Sequence, residues 1–119
     1  MAAIEEMARE LGLALGRTAQ YQDLQRAARR ADDDRELATL RSELAKLEES
    51  VAGSVRAGEE PAPEVADEYE RAFGRLQASP VYQGLVAAQA NFDRVLGRVN
   101  EGITKAIEEG AKSRIIISS

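Results

Sequence analysis

The sequence predicts an all-α protein, with five helices folded into an elongated antiparallel hairpin or bundle. Two of the helices are long and coiled-coil-like. Three observations lead there. Apolar residues recur at three- and four-residue spacing along nearly all of the 119 residues, which is the period of a helix face. Charged residues reach 31% while aromatics stay at 4%, a balance typical of long helices and coiled coils. The pattern Thr/Ser-x-x-Tyr-Gln-x-Leu-x-x-Ala occurs at Thr18–Ala27 and again, sixty-one positions later, at Ser79–Ala88. At the same offset Leu15 matches Leu76 and Asp32 matches Asp93.

The first helix is expected over about residues 2–16, with Ile4, Met7, Ala8, Leu11, Ala14 and Leu15 on one face. Gly12 and Gly16 weaken its end, each costing about 1 kcal/mol relative to alanine. Thr18 is placed to cap a second helix over about 19–31, its hydroxyl accepting from a free N–H of the first turn. The run Asp32-Asp33-Asp34 breaks the chain. One of these aspartates caps a third helix over about 34–57, and the others favour the positive end of its dipole. Leu37, Leu40, Leu44, Leu47, Val51 and Val55 form a narrow seam of coiled-coil period on that helix. At 1.5 Å per residue it spans roughly 36 Å.

Gly58 through Pro63 is the clear loop, with glycine suited to end a helix and prolines unable to continue one. Pro63 fits the first turn of a fourth helix over about 63–78, where its missing N–H is harmless. Ser79-Pro80 combines an N-cap with a proline at the first helical position. It opens a fifth helix over about 80–109, whose stripe runs from Val81 through Leu85, Ala88, Phe92, Val99 and Ile103 to Ile107. Gly110 is the expected stop. In the tail, 110–119, Ile115-Ile116-Ile117 favour extended structure or packing on a partner. The whole is read as one domain, 1–119.

Composition excludes several functions. The chain contains no cysteine and no histidine, so thiol chemistry, disulfides and Cys/His zinc sites are out of reach. The commonest general base is missing as well. A net charge of −5 argues against coating nucleic acid by bulk electrostatics. The acidic amphipathic N-terminus lacks the form of a signal peptide, and no apolar run approaches the ~20 residues that span a bilayer. The expectation is a cytoplasmic protein with no membrane or direct nucleic-acid contact, no cofactor and no enzymatic activity.

The twin pattern offers one candidate partner surface, made of Tyr21, Gln22, Tyr82 and Gln83. Against it stands a packing reading in which each copy is a helix restart with tyrosine, leucine and alanine on the inner face. Acidic runs such as Asp32–Asp34 and Glu108-Glu109 read as caps and solvated faces, because adjacent helical residues point about 100° apart and make poor joint ligands. The basic group Arg26, Arg29, Arg30 and Arg35 reads as solvated too. The pairs Glu5–Arg9, Asp67–Arg71 and Glu101–Lys105 have the favoured i, i+4 order. Two helices longer than 30 Å carry more seam than one hairpin covers, which predicts an oligomer, most simply a twofold dimer.

The order of these elements resembles the YlbF/YmcA-like family of small bacterial helical proteins. Met7-Ala8-Arg9-Glu10-Leu11-Gly12, the following Tyr-Gln-x-Leu, the aspartate break, the leucine-seam helix, the Gly/Pro loop and Ser79-Pro80-Val81-Tyr82-Gln83 carry the likeness, over about residues 3 to 107. The resemblance implies an all-helical, oligomeric, non-enzymatic protein. In bacilli, family members support competence, sporulation and biofilm formation, and some act in a complex that assists RNA processing by the membrane-anchored endoribonuclease RNase Y. Some members of that complex carry iron–sulfur clusters on cysteines, a feature this cysteine-free chain does not share. The leading functional expectation is a regulatory adaptor acting through protein–protein contacts. The alternative is a coiled-coil scaffold or holdase-like chaperone.

Overall fold

A computed structural model describes the backbone of residues 1–118 and the side chains of residues 1–112. Five helices follow one another: α1 (Ala2–Gly16), α2 (Ala19–Asp33), α3 (Arg35–Arg56), α4 (Pro63–Ala78) and α5 (Pro80–Ser118). Among the described residues there is no strand.

Three junctions use one device. Thr18, Asp34 and Ser79 each hold an extended backbone between two helices. Their side-chain oxygens accept from the N–H three residues ahead: Tyr21 on Thr18 at 3.2 Å, Leu37 on Asp34 at 2.8 Å and Tyr82 on Ser79 at 3.3 Å. Their own N–H groups donate backwards, to the carbonyls of Leu15, Ala31 and Leu76. At Asp34 and Ser79 a single residue therefore ends one helix and starts the next, while at the first junction Arg17 closes α1 and Thr18 opens α2, satisfying orphan groups on both sides. The fourth junction is a longer loop. The Glu59 N–H donates to Ser54 O and the Gly58 N–H to Val55 O, the paired bonds of a Schellman end. Gly58 sits at φ +74°, a conformation open to glycine at little cost.

Gly110 does not stop α5, which runs on to Ser118. Gly110 does not adopt the left-handed backbone with which Gly58 closes α3, and among the described residues only Gly58 has a positive φ. Inside a run of good helix formers, Glu108-Glu109 before and Ala111-Lys112 after, one glycine costs about 1 kcal/mol and the helix absorbs it. The backbone of Ile115–Ile117 is thus helical rather than extended; the partner-packing expectation for their side chains falls outside the described residues.

Each long helix is matched by a shorter one. α3 pairs with α4 as an antiparallel hairpin, with Arg75 3.9 Å from Glu43 and the Tyr69 hydroxyl donating to Glu48 at 3.5 Å. α2 pairs with the first part of α5. The two elbows at Asp34 and Ser79 line a common cleft with Arg75 and Val81. The core sits at that meeting point. Ala31, Leu37, Leu44, Ala72 and Leu76 cluster there, with Val81, Tyr82 and Leu85 packed on them. Leu40, fully buried, and Ala88 complete the interior.

Two arms leave this core, and the molecule measures 69 × 37 × 24 Å. Its radius of gyration is 22.1 Å, against about 13.5 Å for a compact chain of this length. Burial fades along the α3 seam. Leu37, Leu40 and Leu44 are buried, Leu47 and Val51 half-buried, and Val55 is 65% exposed at the hairpin tip.

Leu40→Ala is expected to lower unfolding free energy by about 2–5 kcal/mol, whereas Val55→Ala changes it by less than about 0.5 kcal/mol. Urea unfolding followed by circular dichroism measures both.

Candidate functional site

The two copies of the Tyr-Gln pattern occupy separate places. The Tyr21 ring packs on Phe92, centroids 5.1 Å apart and planes tilted by 58°. Tyr82 packs on the buried cluster that includes Ala31. The start of α2 thus meets the middle of α5 and its end meets the start of α5, so the helices are antiparallel. Phe92 lies ten residues beyond Tyr82, roughly 15 Å along the helix, so the tyrosines stand at opposite ends of the pair rather than in one cleft. Both rings are half-buried. The Gln83 amide donates to the Gln77 carbonyl at 2.8 Å, closing an orphan acceptor in the last turn of α4. Gln22 is exposed. The repeat carries a signal for the Tyr21–Phe92 contact: at the sixty-one-residue offset Phe92 falls on Ala31, a member of the cluster on which Tyr82 packs.

Among the described residues, the polar side chains are spent largely on helix ends and exposed pairs. Thr18, Thr39 and Ser79 spend their hydroxyls on helix backbone, and Asp34 spends a carboxylate oxygen on its cap. Among the described residues, no three carboxylates converge in a geometry that would hold a metal ion. The ion pairs Arg26–Asp23, Arg56–Glu49 and Arg75–Glu43 are all largely exposed, and such pairs contribute at most about 1 kcal/mol. The expected i, i+4 pairs do not form. The Arg71 guanidinium donates instead to the Asp67 carbonyl at 3.4 Å, and neither Glu5–Arg9 nor Glu101–Lys105 closes to ion-pair distance among the described residues. Exposed pairs gain too little to hold two long side chains in one geometry.

Bare apolar surface is the feature that remains. Every residue from Met1 to Ala14 is exposed, including Ile4 at 62% and Met7 at 67%. On α5, exposure rises beyond the reach of α2, from half-buried Phe92 and Val99 to Ile103 at 46% and Ile107 at 66%. At the hairpin tip an open groove of about 460 Å³ is lined by Val51, Ala52, Pro61, Ala66 and Tyr69 and rimmed by Glu48 and Glu70. Beside it Phe73, 40% exposed, stacks on Tyr69. Soluble monomers seldom expose apolar patches of this extent, and when they do the patches mark interaction sites. Among the described residues, no helix is long and apolar enough to cross a membrane.

Comparison with known proteins agrees with this architecture. The family model described as control of competence regulator ComK, YlbF/YmcA, matches residues 4–108. A UPF0342 protein of Streptococcus mutans serotype c is 24% identical over 109 residues, covering 92% of this chain and 96% of the relative. The crystal structure of Bacillus subtilis RicA in complex with RicF superposes with a TM-score of 0.82 at 15% identity, covering 92% of this chain and 97% of that one. The chain belongs to the YlbF/YmcA family.

Tyr21→Phe is expected to leave the melting temperature within about 1 °C, because the hydroxyl makes no hydrogen bond within the described residues. Tyr21→Ala removes the ring from Phe92 and costs about 2–4 kcal/mol. Thermal unfolding of the two variants separates packing from hydroxyl chemistry.

Proposed function

We propose that this chain is a non-enzymatic regulatory adaptor of the YlbF/YmcA family, working in the cytoplasm as a homodimer that binds other proteins. The bare helix faces carry this reading. Apolar stripes on α1, on the far half of α5 and at the α3–α4 tip are exposed in one elongated chain. A sequence without histidine or cysteine supplies no ordinary nucleophile–base pair to set against them. The family description refers to control of a competence regulator, and the structural neighbour RicA was crystallised with a protein partner, RicF. Both support action through protein contacts, and the family description favours a place in bacterial developmental control; a role in RNA processing rests on the resemblance alone. Gln22 and the outer edges of Tyr21, Tyr82 and Gln83 serve as secondary contacts in this reading.

Affinity capture of the full chain from its native host, with mass spectrometry, tests the proposal. A defined partner retained at stoichiometric yield, such as a second family member or ribonuclease components, is the expected result. A mixed population of unfolded clients, together with suppression of client aggregation at stoichiometric ratio, would replace the adaptor with the holdase alternative.

A further inference from the structure

The groove at the hairpin tip has a regular lining. α3 presents Glu48, Val51 and Ala52 to it, and α4 presents Ala66, Tyr69 and Glu70. Each set is spaced i, i+3, i+4, so each helix lines the groove with a single face. One turn further along, the same faces reach Val55 on α3 and Phe73 on α4, both exposed. Seven residues on each helix, about 10 Å, therefore carry an apolar strip. Pro61 closes one end of the groove. The loop behind it is held by the Schellman bonds at Gly58 and by the fixed φ of Pro61 and Pro63. A groove built this way exists before anything binds, which lowers the ordering cost of binding.

Charge decides what fits. From Glu48 to Glu70 the chain has eight carboxylates and one cation, Arg56, a balance of −7. The whole chain is −5, so the remaining residues together carry +2. All eight carboxylates are exposed. Arg56 is taken up by Glu49 at 3.0 Å, and Glu48 accepts the Tyr69 hydroxyl across the groove. Among the described residues, none of the other six has a cation within ion-pair distance. The nearby cations Lys46, Arg71 and Arg75 line a different cleft, closer to the core. A field of this sign repels phosphate backbones and anionic bilayers, and it draws in cationic chains.

Resting on the adaptor reading and deepening it, we infer that this groove docks a basic amphipathic helix of a partner protein. Apolar side chains at i, i+4 and i+7 of that helix span about 10 Å and enter between Val51 and Tyr69. Lys or Arg residues on either side of them meet Glu48 and Glu70 on the two rims. A helix suits the groove better than an extended segment. α3 and α4 offer two stripes of side chains, whereas extended partners pair with open sheet edges, and the described residues include no strand. The acidic field steers the encounter, so association slows as salt rises.

A display library of short helical peptides, randomised on one face and selected on the full chain, tests the docking. Enriched sequences are expected to carry apolar residues at i, i+4 and i+7 flanked by Lys or Arg. Peptides made from them are expected to bind Glu48→Lys/Glu70→Lys at least tenfold more weakly than wild type. Ala66→Gln, which places a polar side chain in the groove at unchanged charge, is expected to weaken binding too. Glu5→Lys/Glu6→Lys makes the same change of net charge on α1 and is expected to bind as wild type does. All five positions are exposed, so each variant keeps its helical circular dichroism signal. Equal weakening by the two charge variants marks bulk attraction and overturns the docking. Binding unmoved by Ala66→Gln, or a selection that enriches no cationic sequences, overturns it as well. A lower assembly mass of Glu48→Lys/Glu70→Lys in light scattering would assign the groove to a second copy instead. Partner capture from the host with wild type and with Glu48→Lys/Glu70→Lys separates this docking from the adaptor reading. A defined partner kept by both proteins leaves the adaptor standing and removes the groove as its contact. No defined partner for wild type removes the adaptor reading, and the peptides still decide the groove.

Discussion

Two single-residue elbows, Asp34 and Ser79, which line one cleft, are the constraint on which the structure depends. Each closes one helix and opens the next with one side-chain oxygen and one backbone N–H. Fixing the chain at these two points brings four helix ends to one place. The small core of Ala31, Leu37, Leu44, Ala72 and Leu76 forms there because that is where apolar faces from all four helices converge. The weight rests on caps individually worth about 0.5–2 kcal/mol, and their effect comes from geometry: they decide which faces meet.

The same constraint explains the open surfaces. α3 is turned back by its elbow and finds α4. α5 has no elbow at the matching position and continues for 39 residues, outrunning the 15 residues of α2 that cover it. α1, tied at Thr18 by hydrogen bonds on both sides, stands away with its stripe uncovered. Surface that would be interior in a compact bundle is left exposed.

Much of this was legible in the sequence, for a physical reason. Caps, proline starts and the glycine end are local, so Thr18, Ser79, Gly58 and Pro63 announce themselves within a few residues. The leucine seam was equally plain, and Leu37, Leu40 and Leu44 are buried. Long-range facts were less visible. The repeat aligns Thr18 with Ser79 by chemistry, yet Ser79 shares its cleft with Asp34, because pairing follows the direction of the helices after each elbow. Val55 reads as seam but lies at the open tip, where α4 has only begun. Gly110 reads as a stop, but the good helix formers on both sides of it carry α5 through. The Tyr-Gln pattern announced itself as a pair and is one, though as two capped restarts at opposite ends of α2 and α5 rather than two halves of a pocket.

Hydrogen exchange followed by mass spectrometry across a dilution series measures most directly whether the bare faces are completed by a second chain. Amides of α1 and of α5 from Val95 to Gly110 should be protected at high concentration and lose protection on dilution, while Leu37–Leu44 stay protected throughout. Exchange in α1 that is fast and identical at every concentration would contradict the account.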